Sequence, residues 1–469
     1  MSGMSTGSLV TAIHAAGRPL VLIVTGGGSL AISDLLTVPG ASRTVLEALV
    51  PYSGESLTEL LGKRPDQYCS EATARAMAVV AYQRAVRWRV AELSVAASPV
   101  VRASPVAGPV SPPLSDSLGA RGQQELAGAR IAIPAQNVPL AVPGPVPGAE
   151  RGPAPGPVPG PADQIPVGDS RFGQQGVVGV GLTASLASAS PKRGPHRIFL
   201  ALHDHRQTEE LSVILEKGVR DRAGEEAIAA HLILSRIAHA CHVPQGAPPP
   251  GFPLPLELVS SRAVDACLEW RELISGQRAT VATNQSATAL AAPLPQVVFS
   301  GAFNPVHDGH LRIAEIASQL LAAPTHFELS IENVDKPPLD FLTIDDRRRQ
   351  FADHQTLWLT RAPTFAAKSR IFPGATFVVG VDTIARIAQP KYYGGSDAAC
   401  RQAVATIAQQ GCRFLVFGRV MDGTFRTLDD LSLATDLRAL CRGISASDFR
   451  SDLSSTELRR EANQSTFAE

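Results

Sequence analysis

The densest run of prolines divides the chain into unlike parts. Of its 37 prolines, 16 fall between Ser98 and Pro166, a stretch that includes GPVPGAERGPAPGPVPGPA and has few large apolar residues. Proline has no amide donor and fixes φ, so this density excludes regular helices and paired strands. The few apolar side chains cannot offset the entropy lost on ordering the chain. The sequence therefore predicts a disordered Pro/Gly-rich insert over residues 98–167.

The segments on either side of this insert predict a single, interrupted α/β domain. Before it, LVLIVTGGGSLA (20–31) has the pattern of a buried strand, a glycine turn and the start of a helix, and residues 72–93 have helical apolar spacing. After it, two strand-like runs are followed by a helical pattern over 223–241. We therefore expect one domain made of residues 8–97 and 168–245.

A small, polar stretch over 276–296 predicts a linker to a second domain, residues 297–469. In that domain the strand-like runs VVFSG, HFELSI, TFVVGV and RFLVFGR alternate with helical patterns. Such alternation is typical of parallel strands joined by crossover helices. The predicted fold class is thus α/β with two domains, the second of them Rossmann-like with a parallel sheet.

Composition excludes several classes of partner. The 43 basic and 43 acidic residues cancel, so no overall field favours nucleic acid or a membrane surface. The six cysteines show no CxxC spacing, and the N-terminus lacks the pattern of a secretory signal. The longest apolar runs are far shorter than the roughly 20 residues of a membrane helix. We expect a cytoplasmic or nuclear protein that acts on small molecules, and homo-oligomer formation stays open.

The string SGAFNPVHDGH (300–310) follows an apolar, strand-like run and has the residues of an anion site. In a parallel sheet, ligands bind where strands lead into helices. Gly301 would let the backbone approach a phosphate, and His307 and His310 would face the same side of a helix's first turn, beside its free amides. A metal site would need a third ligand, which the string lacks. A pair of surface histidines is the remaining alternative.

The same string resembles the signature of the nucleotidyltransferase superfamily, which includes nicotinamide mononucleotide adenylyltransferases and cytidylyltransferases. The second signature of that superfamily, ISSTxxR, is matched by LSSTELRR (453–460), although a helix capping box also has Ser or Thr followed by Glu. The resemblance implies that His307 and His310 are catalytic and contact the nucleotide phosphates. It also implies nucleotide-binding roles for Gly301, Phe303, Asn304, Gly380, Asp382, Arg419, Ser454, Ser455, Thr456 and Arg459.

Within the superfamily, the FNPxHxGH form and the long span to the second signature look more like the pyridine-nucleotide adenylyltransferases. The resemblance therefore implies an enzyme that makes NAD from nicotinamide mononucleotide (NMN) and ATP and releases pyrophosphate. Mg²⁺ would enter with the ATP, without a metal site of the protein's own. Two alternatives stay open: a cytidylyltransferase that acts on a phosphorylated alcohol, and a catalytically silent nucleotide-binding regulator.

The first half carries a second resemblance. TGGGSLAISDLLTVPGASRTVLEALVPYS (25–53) is similar to the amidase domain of the competence-damage-inducible (CinA) family, and the similarity resumes after the insert. It implies an amidase-related domain with a nucleophilic Ser42, with Tyr52 ten residues later in the chain as the second residue, and with either Arg220 or Arg222 as the third. The acidic residue and serine of the family's ESxTGG, and its lysine after the tyrosine, are missing. We therefore expect a vestigial amidase site.

Overall fold

The computed structural model describes residues 4–97, 176–190, 192–283, 294–334, 336–352, 355–421 and 423–450, with residues 90–97 described by their backbone only. The predicted insert over 98–167 lies outside these ranges. The described residues up to Leu93 and from 176 onward belong to one compact unit, which contains two large sheets and a two-stranded hairpin. No helix among the described residues is long and apolar enough to cross a membrane.

The first sheet has six strands: β1 (Leu20–Thr25), β2 (Val45–Leu49), β3 (Val178–Ser185), β4 (His196–His203), β5 (Gln207–Leu215) and β6 (Leu258–Asp265). Their order is β2-β1-β3-β4-β5-β6. The strand β1 is parallel to both β2 and β3, and the remaining pairs are antiparallel. Because β1 pairs with β3 from Leu20↔Val178 to Thr25↔Thr183, the segments before and after the prolines form one sheet.

Helices cover both faces of this sheet. They are α1 (Thr6–Ala16), α2 (Ser29–Thr37), α3 (Gly54–Leu60), α4 (Glu71–Ala97) and α5 (Arg222–Ala240). Alternate residues of β1 point to opposite faces, so Leu22 packs with α1, α2 and α5, whereas Ile23 packs with α3 and α4. At Gly179 a Cβ atom would lie 2.0 Å from the Ala78 carbonyl oxygen. Glycine therefore lets α4 lie directly against β3.

The second sheet contains β7 (Thr280–Ala282), β8 (Val297–Ser300), β9 (Thr325–Ser330), β10 (Leu357–Thr360), β11 (Thr376–Gly380) and β12 (Arg413–Phe417). A two-stranded hairpin, β13 (Arg419–Met421) and β14 (Thr424–Arg426), follows β12 outside the sheet, and β15 (Cys441–Gly443) completes the sheet. The order is β15-β12-β11-β8-β9-β10-β7. All neighbours are parallel except β7 and β10, which confirms the parallel sheet expected from the alternating pattern.

Two layers of helices enclose the second sheet: α6 (Leu268–Ser275), α7 (Asp308–Leu321), α8 (Phe341–Arg348), α9 (Phe365–Ile371), α10 (Val381–Ile387), α11 (Asp397–Gln409) and α12 (Thr435–Ala439). Apolar residues of α6, α7 and α8 share one core, and those of α10, α11 and α12 share the other. The sheet is thus buried on both faces, as its near-continuous apolar strands require.

The predicted linker over 276–296 contains a strand. Thr280–Ala282 form β7 and pair with Trp358–Thr360 of β10 at the edge of the second sheet, where Val281 is buried. The preceding helix α6 also lies in this core, through Trp270 and Leu273. Three residues are too few to give an alternating pattern among small, polar neighbours, so the sequence did not reveal this strand. Residues 284–293 of the predicted linker lie outside the described ranges.

Candidate functional site

The chain reverses direction across the second sheet between β8 and β11. From β8 it proceeds outward to β9 and β10, then returns to pair β11 with the other side of β8. The carboxyl ends of two adjacent strands therefore lead into loops on opposite sides, which leaves a crevice where ligands bind in open α/β sheets. The loop 301–307 leaves β8 here, α10 begins directly after β11, and Arg419 follows the neighbouring β12.

The loop after β8 is anchored to the core by an aromatic side chain. Phe303 has a left-handed backbone (φ 45°) and is 1% exposed, with its ring edge-on to those of Phe299 and Phe327. A Cβ atom on Gly301 would lie 2.7 Å from Cζ of Phe303, so any larger residue here would force the Phe303 ring to shift. The sequence predicts Phe303 as a nucleotide-binding residue, but its ring belongs to the core and supports His310 from 5.3 Å.

The two histidines of the loop stack on each other at the start of α7. Their ring centroids are 3.8 Å apart, and Nδ1 of His310 accepts the backbone N–H of His307 at 3.3 Å. An accepting Nδ1 places the proton of the neutral ring on Nε2. His310 therefore presents an N–H donor, while the buried Nδ1 of His307 has no hydrogen-bond partner among the described residues.

Both imidazoles are held in their neutral form. Burial, together with the nearby His307 and Arg419, lowers the pKa of His310 to about 3. Burial also lowers the pKa of His307, with Arg419 adding to the effect and Asp308 opposing it. At neutral pH the two rings are thus hydrogen-bonding groups without charge, and neither is primed to take up a proton.

A guanidinium from the neighbouring strand completes the cationic side of the crevice. Nη1 of Arg419 lies 3.6 Å from Oδ1 of Asp382, which stands in the first turn of α10. Arg386, one turn later, lies 3.9 Å from the other carboxylate oxygen. At Gly380 a Cβ atom would lie 2.7 Å from Oδ1 of Asp382, so glycine makes room for the carboxylate at the strand end. The fold thus brings His307, His310, Asp382 and Arg419 together from three strand ends.

One residue of this region was not predicted from the sequence. Arg426 on β14 pairs directly with Arg419 on β13, so the two side chains share a face of the hairpin. Its Nε atom is buried and has no hydrogen-bond partner within the described part of the chain. Only the hairpin pairing reveals this residue, because it stands in no motif.

The remaining predicted residues are only partly covered. Asn304 is half-buried in the loop after β8. Ser454, Ser455, Thr456 and Arg459 lie outside the described residues, so their nucleotide-binding roles stay predictions.

The donors that face the crevice suit an anion better than a resident cation. Within the described ranges, no group of three or more His, Cys, Asp or Glu side chains could hold a metal ion. Mg²⁺ prefers oxygen ligands and is often held through one or two carboxylates together with substrate phosphates. Here imidazole and guanidinium groups dominate, and the carboxylate of Asp382 already faces Arg419.

The predicted amidase residues of the first half are not joined into a site. Ser42 is exposed in a 3-10 turn, and Tyr52 is 72% exposed before α3. Arg220 forms an ion pair with the buried Glu257, and Arg222 donates to the Gly26 carbonyl at 2.9 Å. Among the described residues, no hydrogen bond or ion pair links Ser42 or Tyr52 to either arginine. The amidase relationship therefore stays a prediction.

The triple-glycine turn after β1 also resembles an anion site, but a side chain of the protein fills it. The carboxylate of Glu226, on α5, accepts from the amides of Gly28 (2.9 Å) and Leu30 (3.1 Å) and from the Ser29 hydroxyl (2.9 Å). Glu226 is 9% exposed. The free amides at the start of α2 are thereby satisfied from within the first half.

A doubly wound sheet with a strand–loop–helix segment at its switch point is typical of nucleotide-binding α/β domains. Comparison with known families agrees, because residues 298–461 match the family model described as Cytidylyltransferase-like. The C-terminal part of the chain is thus a cytidylyltransferase-like domain of the nucleotidyltransferase superfamily, which confirms that part of the prediction. No curated protein matches the chain.

Proposed function

We propose that the protein is a nicotinamide-nucleotide adenylyltransferase, which joins NMN to the adenylyl group of ATP and releases pyrophosphate. The observation that carries the proposal is the convergence of two neutral histidines and Arg419 at the switch point of a cytidylyltransferase-like domain. The long span between the two signatures and the similarity of the first half to a family that acts on NMN favour the pyridine substrate.

In the proposed reaction, a phosphate oxygen of NMN attacks the α-phosphorus of ATP in line, and pyrophosphate leaves from the opposite side. The nucleophile is already an anion, so no general base is needed. The requirement is to stabilise the negative charge that develops on the phosphoryl oxygens. Nε2–H of His310 and the guanidinium of Arg419 would donate to that charge, and His307 is a third candidate. Mg²⁺, bound with the triphosphate, would neutralise charge on the leaving group.

A cytidylyltransferase is the second candidate function, favoured by the description of the matching family model. The same loop would bind the triphosphate of CTP, and a phosphorylated alcohol would be the attacking group. The two candidates differ in the base and in the second substrate, and both use His307 and His310 in the same role. A binding protein without turnover is the third candidate.

An activity assay with purified protein and Mg²⁺ separates these candidates. The substrate pairs are ATP with NMN, ATP with the acid form of the mononucleotide, and CTP with phosphorylated alcohols. Pyrophosphate and the joined nucleotide are measured. We expect dinucleotide from ATP and a pyridine mononucleotide, with loss in His307→Ala and His310→Ala. His326→Ala is the control, because His326 lies near the amino end of β9, away from the crevice. Turnover with CTP alone would select the cytidylyltransferase, and full turnover in both loop variants would refute the proposed mechanism.

A further inference from the structure

Two groups of the first half, one on strand β5 and one on helix α4, contact the start of helix α8 in the second half. The hydroxyl of Thr208, fully buried on β5, accepts the backbone N–H of Phe341 at 3.1 Å. Arg75 of α4 lies 3.3 Å from the carboxylate of Asp340, which caps α8, and also pairs with Glu210 of β5. These contacts fix the start of the helix, because the first-turn amide and the carboxylate of the cap residue both have a partner in the first half.

The other end of α8 is held by the edge strand β6. Nη2 of Arg262 lies 2.6 Å from Oδ1 of Asp346. The backbone carbonyl of Asp346 in turn accepts the side-chain amide of Gln350 at 3.0 Å. The position of the Gln350 side chain thus depends on a helix that is bonded at both ends to residues of the first half.

Gln350 is also bonded to the loop that carries the histidines. Its Oε1 atom accepts the backbone N–H of Val306 at 2.8 Å, immediately before His307. Phe351 follows Gln350 and packs its ring edge-on against Phe303 at 5.5 Å. The ring of Phe303 in turn packs edge-on against that of His310. One short segment after α8 therefore contacts the loop through a hydrogen bond and through its aromatic anchor.

We propose that the first sheet contributes to the transfer reaction by positioning the loop of His307 and His310. Through α8 and the positioning residue Gln350, it holds that loop in the geometry that stabilises the transferring phosphoryl group. This role rests on the proposed function. Displacing a catalytic group by about 1 Å can cost about 100-fold in rate, so a loop between a strand and a helix gains from an external brace. The first half thus has a use that does not depend on amidase activity.

Two pairs of variants test this role. Gln350→Leu removes the acceptor for Val306 and nearly keeps the volume, and Gln355→Leu is its control, because Gln355 accepts the amide of Ala352 at 3.0 Å instead. Thr208→Val removes the acceptor for Phe341. Its control is Thr183→Val, another buried threonine of the first sheet, whose hydroxyl donates to the Tyr68 carbonyl at 2.9 Å. Thermal unfolding of all four variants reports the stability that each one loses.

Two measurements are made on each variant. The first is kcat and KM for ATP in the transferase assay. The second is the titration of the His310 imidazole by NMR on histidine-labelled protein, assigned from the signal that His310→Ala loses. We expect Gln350→Leu to lower kcat by about 10- to 100-fold with a smaller change in KM, because positioning and not ground-state binding is lost. The pKa of His310 should rise towards its ordinary value as the ring becomes exposed. Thr208→Val should follow in the same direction, and both controls should match the wild type.

The role would be overturned if Gln350→Leu retained the wild-type kcat and histidine titration, or if all four variants lost activity only in proportion to their stability. If the wild-type protein joined no nucleotide pair, the proposed function would fail by itself. The titration of His310 in Gln350→Leu and Thr208→Val would still decide whether the first sheet braces the loop.

Discussion

Both halves of the molecule contain a strand, a turn and a helix start in the same arrangement, but different side chains lie at the two helix starts. In each, a buried strand that lies between parallel neighbours ends in a glycine-containing turn that opens a helix. After β1, the carboxylate of Glu226 occupies the amides of that helix start. After β8, the helix start carries His307 and His310 with Arg419 beside them, and Nδ1 of His307 has no partner among the described residues.

This contrast teaches that a strand, a turn and a helix N-terminus do not by themselves make a ligand site. Free amides and the helix dipole attract any anion, including one that belongs to the protein. A buried carboxylate on a facing helix satisfies the first turn permanently. At the second turn, no carboxylate among the described residues accepts from the amides at the start of α7. Two neutral imidazoles lie there, and the guanidinium of Arg419 faces Asp382 at 3.6 Å. We expect this turn to bind an anion from outside.

The difference between the two turns should be reduced most strongly by a new carboxylate beside the second turn. Arg419→Glu places an anion beside the two histidines and Asp382. We expect a loss of about 1000-fold in kcat/KM for ATP, because repulsion between like charges in a crevice costs several kcal/mol. Arg413→Glu, at the opposite end of β12, is the matched control. Equal losses in both variants would mean that overall charge, not the site, is responsible.

The converse change opens the first turn. Glu226→Ala removes the acceptor of three hydrogen bonds, and we expect the free energy of unfolding to fall by about 3 kcal/mol, because buried donors are left unsatisfied. Chemical denaturation measures this loss, and Glu59→Ala, on an exposed face of α3, is the control. Added phosphate should raise the thermal stability of Glu226→Ala more than that of the wild type, since the opened turn can bind it. An unchanged stability would contradict the account of this turn.

A smaller effect is expected from the glycine of the second turn. In Gly301→Ala the new methyl group would meet the ring of Phe303, and we expect a cost of about 1–2 kcal/mol in stability together with weaker transfer. Gly194→Ala is the control, because a Cβ atom there would meet nothing within 4 Å. Denaturation curves and the transferase assay measure both effects. Wild-type behaviour of Gly301→Ala would show that Phe303 is not a tight anchor.

On the rate of transfer, the smallest effect is expected from pH. Because the pKa of His310 is lowered to about 3, we expect kcat/KM to show no inflection from this residue between pH 8 and 5.5. The unfolded chain binds a proton at this residue near pH 6.5, whereas the folded protein does not. The free energy of unfolding should therefore fall as the pH is lowered from 6.5 towards 3. A rate profile with an inflection near 6.5 would indicate that a charged histidine takes part.

Much of the second half could be predicted from the sequence, because its signals are local. The apolar runs of β8, β11 and β12 alternate with helical patterns, and the string around His307 and His310 stands where a strand meets a helix. The strand β7 could not be predicted, since three residues give no period. The support of His310 by Phe303 was also missed, because the Phe303 ring is held by Phe327 and Phe351, which lie further along the chain. The pairing of Arg426 with Arg419 was missed because two strands of three residues give no period.

Most of the strands and helices, the α/β class and the family of the C-terminal domain follow from the sequence alone, because each depends on neighbouring residues and short-range periodicity. The tertiary contacts alone reveal that the first turn is filled by Glu226 and that the second turn carries the two histidines beside Arg419. Glu226 is nearly 200 positions from the turn that it fills, and Gln350 lies 44 positions from Val306. Hydrogen bonds and burial act through space, and the fold alone brings such distant residues within their short range.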